Sequence, residues 1–363
     1  LLDLISRRDL QLVPSRVNAP LFLFLLSGLL SLLIGNVLWD PAVSRSGHFI
    51  LVQLAQWAIF AFSAGAFWLM GNLADEVWLR RLTFAFLALG GGLAILRVLP
   101  GFGWLAGRVS TVALIRAPFW VLLAALAGGQ LLFNRELSPG WRLFLTAVMG
   151  AVFLYAFIVQ RGGVSNWVGV TAAIGVLVWL RWPRLRWAMV GVVLVLMAIG
   201  ALFPAIYKFA GGDPEWRTSG GSRLELIQRV VEVTMRNPLT GLGPAAYRRY
   251  AAMRPLVYAH ITWLDPQISS HNNYVDLFSH VGLLGLGLFL WFMGELALLG
   301  TKLWASLREG FAGSYVSAML ATWAGVMAVM ILADWFLPFV YNIGFPGFQA
   351  SVLAWMFLGG LVA

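Results

Sequence analysis

The sequence predicts an all-α polytopic membrane protein of about ten transmembrane helices, with one large helical loop on the outer side. Three observations predict it. Hydrophobic residues make up 60% of the chain and charged residues only 11%, whereas a soluble domain carries roughly 25% charged residues. Apolar runs of about 20 residues, the length that crosses a bilayer, recur along the chain. A single long stretch between them is polar enough to lie outside the membrane.

The runs fall at 20–38, 48–70, 82–99, 110–133, 141–159, 164–182, 186–207, 272–299, 314–335 and 345–362. Residues 1–207 therefore hold helices one to seven, 208–271 form the loop, and 272–363 hold helices eight to ten. Trp39, Trp78, Trp141, Trp182 and Trp187 sit near run ends, as interfacial anchors do. Gly90, Gly91 and Gly92 lie inside a run and suit close helix packing. The chain starts Leu1-Leu2-Asp3 without methionine and ends inside an apolar run, so both ends read as cut from a longer protein.

The net charge is +10, and of the 25 cations only Lys208 and Lys302 are lysine. Placing the N-terminus in the cytoplasm puts Arg7, Arg8, Arg16, Arg80, Arg81, Arg135, Arg142, Arg181, Arg184, Arg186, Lys302 and Arg308 inside, as the positive-inside rule requires. The 208–271 loop then lies outside. Arg45, Arg97, Arg108, Arg116 and Arg161 fall on the outer side near helix ends. They either snorkel or form an outward-facing site for an anionic headgroup, for which arginine supplies bidentate contacts. With the cations distributed over membrane loops, no nucleic-acid partner is expected. The absence of cysteine excludes disulfides and zinc–thiolate sites.

Within the loop, Ser222 to Arg236 reads as a helix opened by the capping pair Ser222 and Glu225 and closed by Asn237-Pro238. On a helical wheel, Glu225, Gln228, Arg229, Glu232 and Arg236 share a solvated face, with Glu225–Arg229 and Glu232–Arg236 as i,i+4 pairs. Leu226, Ile227, Val230, Val231 and Val233 form the apolar face, with Arg223 in its middle. A cation there, in the first turn of a helix, needs an anionic partner. A tight turn follows, Pro238-Leu239-Thr240-Gly241-Leu242-Gly243-Pro244, then a short helix with Tyr247, Arg248, Arg249 and Tyr250. His271 stands at the start of the eighth span, where a helix N-terminus favours the neutral imidazole, the form a general base needs. Asp276 and His280, one turn apart, are expected to pair. Asp213, Glu215 and Asp265 are scattered, and neither a metal-ligand motif nor a phosphate-binding loop appears, so no cofactor is expected.

These residues carry a resemblance. The order S-R with its amphipathic helix, N-P-L-T-G-L-G-P, H-N-N-Y at 271–274 and V-G-L-L-G-L at 281–286 resembles the bacterial O-antigen ligase and O-antigen polymerase superfamily. Arg161-Gly162-Gly163 looks like that family's S-R-G segment with Gln160 in place of serine. His280 stands where the family often has an acidic or small residue. The resemblance implies a mostly helical, GT-C-like fold and a multi-pass enzyme of the bacterial inner membrane with its active site facing the periplasm. It implies transfer of a glycan from an undecaprenyl-diphosphate carrier to a hydroxyl of the lipid A core, of a growing glycan or of a protein. No nucleotide sugar or metal is usually needed. On this reading His271 and Arg223 are catalytic, and Arg161, Arg97, Arg116, Arg248, Asn272 and Tyr274 contact substrate. A polymerase of the shape, elongation and division type and a lipid-linked glycan transporter are the rival classes.

Overall fold

The computed structural model describes residues 12–109, 116–209, 226–252, 256–258, 261–264, 270–341 and 344–363. The chain is an all-α polytopic membrane protein. Seven helices among these residues are long and apolar enough to cross a bilayer. They are α1 (Asn18–Val37), α2 (Phe49–Leu73), α3 (Glu76–Val98), α6 (Pro139–Phe153, running on as a π-helix over Leu154–Val159), α7 (Val164–Arg181), α12 (Asn273–Ser306) and α13 (Gly310–Leu332). The other three expected spans are shorter helices. They are α5 (Ala117–Phe133), α8 (Arg186–Ala198) with α9 (Leu202–Phe209) after a break at Gly200, and α14 (Gly344–Gly359). A short α4 (Gly103–Val109) joins α3 to the next segment.

Helix α5 is the centre. It carries no charge, and every residue except Leu131 and Leu132 is buried, as expected of a helix apolar on all sides. Helices α7 and α13 pack against it and each other. Small residues permit this: a β-carbon on Gly169 or Gly325 would strike the facing helices at 2.5 and 2.4 Å, the close approach that stands in for hydrophobic driving force inside a bilayer. The same reason holds at Gly91, where a β-carbon would lie 2.6 Å from Val148, but not at Gly92, which faces open space. Helix α12 lies along α1, and α14 along α2.

The loop contains α10 (226–234) and α11 (Tyr247–Ala251). It also holds an antiparallel hairpin, β1 (Leu256–Tyr258) and β2 (Ile261–Leu264), where the sequence suggests only helix. Helix α10 corrects the expected wheel. Leu226, Arg229, Val230, Val233 and Thr234 are buried, whereas Val231 is exposed. The i, i+3, i+4, i+7 stripe that wins is the one Val230 and Val233 lay on Trp39, Phe49, Tyr247 and Tyr250. Arg229, expected in water, is 8% exposed and meets Glu232 at 3.2 Å. Arg236 does not reach Glu232 but crosses to Asp40, at 2.5 Å. Trp39 is not an interfacial anchor either. It is buried in this cluster and donates its indole N–H to the Val43 carbonyl. Trp187, at 82% exposed, keeps the anchoring environment.

Candidate active site

Helix α12 is 34 residues long, about 50 Å at 1.5 Å per residue, far more than the ~30 Å a bilayer core needs. Gly282 breaks it, with φ 68° and ψ −171° inside the helix, a conformation that only glycine adopts readily. The break frees backbone groups that must find partners, since the site lies away from bulk water. Four of them find partners in neighbouring segments. The N–H groups of Leu283 and Leu284 donate to the carbonyls of Pro238 and Leu239, the Ser279 carbonyl accepts from Leu242 N–H, and the His280 carbonyl accepts from the Ser31 hydroxyl at 2.6 Å. The glycine turn 238–244 and the glycine-bearing start of α12 are thus one interlocked unit. A β-carbon on Gly282 would sit 2.2 Å from the Leu239 oxygen, and one on Gly241 2.6 Å from the Gly282 nitrogen.

This unit fixes the start of α12. Asn272 is its N-cap, accepting from the N–H groups of Tyr274 and Val275 and donating to the Ile331 carbonyl at 3.0 Å. The Tyr274 hydroxyl donates to the Met327 carbonyl at 2.9 Å. Both side chains clamp the helix start to α13. His271 is held just outside the cap in the left-handed region, φ 52°, a backbone strain that accumulates at functional sites. Its ring is 38% exposed, and Nδ1 stands 4.0 Å from a carboxylate oxygen of Asp334, which is 2% exposed.

A second carboxylate lies close by. Asp276 is 2% exposed. Its Oδ1 accepts from the Ser270 backbone N–H at 3.1 Å and from the Ser270 hydroxyl at 2.7 Å, and its Oδ2 has no hydrogen-bond partner among the described residues. Asp276 is within electrostatic reach of both Asp334 and His271. The expected pairing with His280 does not form, because the loop supplies each residue with a nearer partner: His280 Nδ1 accepts from Ala245 N–H at 3.2 Å. A cavity of about 20 Å³ lies between Asp276, His280, Arg248 and Tyr341, room for roughly one water. Burial and the Asp276 carboxylate push the Tyr247 phenol on its wall well above its ordinary range, so it remains a proton donor.

The outer arginines divide. Arg116, at the N-cap of α5, lies 4.0 Å over the Trp335 ring and within electrostatic reach of Asp334 and Tyr155. Arg97 lies 5.4 Å over the Tyr155 ring. The π-helical turn carries Tyr155 into the core, where it stacks on Trp120 at 3.9 Å. Arg248 donates to the Tyr341 carbonyl and lies 4.6 Å over that ring. Arg161 is exposed, its carbonyl accepting from the Trp167 indole at 3.1 Å. Arg45 holds Asn36 at 3.0 Å, and Arg108 covers Trp104. Arg223 and Glu225 lie outside the described residues, and with Glu225 the expected contact to Arg229. The fold therefore gathers His271, Asp334, Asp276, Arg116, Arg97 and Arg248 at one end of the bundle. Among the described residues, no three acidic, histidine or cysteine side chains are grouped to hold a metal.

Residues 149–290 match the sequence model of the O-antigen ligase family. The chain is similar to that family over this segment, which is less than half of its length. No curated protein matches it. The O-antigen ligase segment opens at the end of α6, next to the π-helical turn, and closes in α12 just beyond the Gly282 break. It contains His271, Arg161, Arg223 and Arg248. Arg97, Arg116 and Asp334 lie outside it and join it only through the helix packing. Sequence reasoning left Asp334 without a role, although a carboxylate ending an apolar span is costly unless it has a partner. Tyr155 and Trp335 carried no signal at all, being aromatics among many.

Proposed function

We propose that this chain is a member of the O-antigen ligase and polymerase superfamily and transfers a glycan from an undecaprenyl-diphosphate carrier to an acceptor hydroxyl on the periplasmic face of the inner membrane, without a metal and with inversion, in the manner of an O-antigen ligase. The observation that carries the reading is His271 beside the buried Asp334, at the same end of the bundle as Arg116 and Arg97. Asp334, 4.0 Å from Nδ1, closes on the ring in the reacting complex, where such contacts tighten, and stabilises the cation the imidazole becomes, leaving Nε2 for the acceptor. Nε2 takes the hydroxyl proton, the oxygen attacks the anomeric carbon from the face opposite the diphosphate, and the bond from that carbon to the phosphate oxygen breaks with its electron pair on the leaving group. Arg223, Arg97, Arg116, Arg161 and Arg248 bind the diphosphate and stabilise the charge that grows on it. Asn272 and Tyr274 act here by holding the helix start that presents His271. A lipid donor suits a site between helices, since it reaches the protein without leaving the bilayer.

Purified protein supplied with lipid-linked glycan and acceptor tests this. His271→Gln is expected to lose about 10²–10⁴-fold in transfer rate, the usual contribution of a general base, while still binding undecaprenyl diphosphate. The acidic limb of the wild-type pH–rate profile disappears in its residual activity. Near-normal turnover in that variant overturns the assignment. Product chain length separates single transfer to a core from repeated addition by a polymerase.

A further inference from the structure

The region around Asp40 holds a cavity that the transfer chemistry does not use. It measures about 320 Å³, within the range of small-molecule sites, roughly 300–1,000 Å³, and far larger than the water-sized space beside Asp276. One wall is polar, from Asp40, Arg236, Asn237 and Tyr250, and the other is aliphatic, from Leu38 and Leu242. The charges on the polar wall cancel: Arg236 meets the Asp40 carboxylate at 2.5 Å, with both side chains still part-exposed to the cavity mouth. Asp40 is anchored independently of any ligand. Its Oδ1 accepts from Ala42 N–H at 2.9 Å, and its backbone N–H donates to the Tyr250 hydroxyl at 3.2 Å. Asn237 presents an amide already turned by Thr240.

An already neutralised arginine is a poor phosphate site, because an anion entering there meets the carboxylate as well. A pre-paired carboxylate and guanidinium instead offer acceptors and donors side by side, which is what the hydroxyls of an uncharged sugar need, while the leucines face its C–H surface. We propose that the Asp40–Arg236 cavity is a subsite for an uncharged pyranose ring, holding glycan away from the reacting centre. It rests on the transferase reading only for the origin of the sugar. The cavity is joined to the site through the same loop, since Gly241 and Leu242 of its wall lock against the break in α12.

The test uses the full chain in detergent and a panel of methyl hexopyranosides and methyl N-acetylhexosaminides, followed by saturation-transfer NMR, with inorganic phosphate as competitor. At least one pyranoside is expected to receive saturation in the wild type and to be indifferent to phosphate. Asp40→Asn keeps the Ala42 contact but unpairs Arg236. It is expected to weaken that pyranoside by roughly tenfold, one charge-assisted hydrogen bond, and to make the site sensitive to phosphate. Arg236→Gln is expected to lose the pyranoside without gaining phosphate. No binding across the panel, competition by phosphate in the wild type, or unchanged binding in both folded variants overturns the subsite. Undecaprenyl diphosphate binding and turnover are measured on the same preparations. Their loss in the wild type fails the transferase reading, whereas their persistence without pyranoside binding fails only the subsite.

Discussion

The two ends of the helix bundle handle charge in opposite ways. At the end away from His271, arginines stay in water. Arg135 meets Glu309 at 2.8 Å with side chains 69% and 57% exposed, and Arg80 reaches Glu136 only at 3.9 Å. At the His271 end, carboxylates and cations are drawn inside: Asp276, Asp334 and Arg229 are nearly closed off from solvent. Exposed pairs contribute little, about 0–1 kcal/mol, and serve orientation in the bilayer. Buried charge is costly unless each group finds a partner. The second end carries that cost in a cluster of acid, base and cation, the composition of a reacting site. The difference teaches that arginine content alone is uninformative here and that what matters is whether a cation stands near the buried carboxylates of the His271 end.

Four substitutions break or sharpen this contrast. The largest effect is expected at Gly282, which holds the polar end together. Gly282→Ala forces a side chain into a conformation costing about 1–3 kcal/mol by itself, and adds a collision with the Leu239 carbonyl. Thermal unfolding in detergent is expected to show a clear drop. An unchanged melting temperature shows that the loop and the broken helix are not one unit. Next, Asp334→Asn is expected to slow transfer about 10- to 100-fold, since a contact to a charged group contributes roughly 1.5–3 kcal/mol, with KM for the donor little changed. A KM effect with kcat intact would move Asp334 from orienting His271 to binding substrate. The smallest effects come as a matched pair. Arg229→Ala is expected to destabilise the fold by about 1–3 kcal/mol, because its side chain is buried within electrostatic reach of Tyr247. Arg135→Ala at the opposite end should cost no more than about 0.5 kcal/mol. Equal losses in the two variants would erase the distinction between the ends.

The site was partly legible in advance. His271 stands out because a lone histidine at the boundary of an apolar run is easily seen, and its motif has fixed spacing. The glycine turn and the glycine of α12 are also visible as separate features. Their interlock is not, since nothing in either segment says that the Leu283 and Leu284 N–H groups will take their carbonyl partners from Pro238 and Leu239. The burial of Arg229 was misread for a similar reason. A helical wheel ranks faces by the helix's own residues, whereas the face that is buried is chosen by Trp39, Phe49 and Tyr250, which are distant in the chain.

What the sequence by itself determined is the membrane class and most of the spans, because transfer of apolar segments into lipid depends on local composition and length. It also carries the likeness to the O-antigen ligase family, through the ordered motifs between 149 and 290. What only the tertiary structure decided is which charges meet. Asp334 lies 63 residues beyond His271, and Arg116 lies on a different helix from either. Their juxtaposition depends on how α5, α12 and α13 pack, and that packing is set by small residues and side-chain shape across helices rather than by any one segment's polarity.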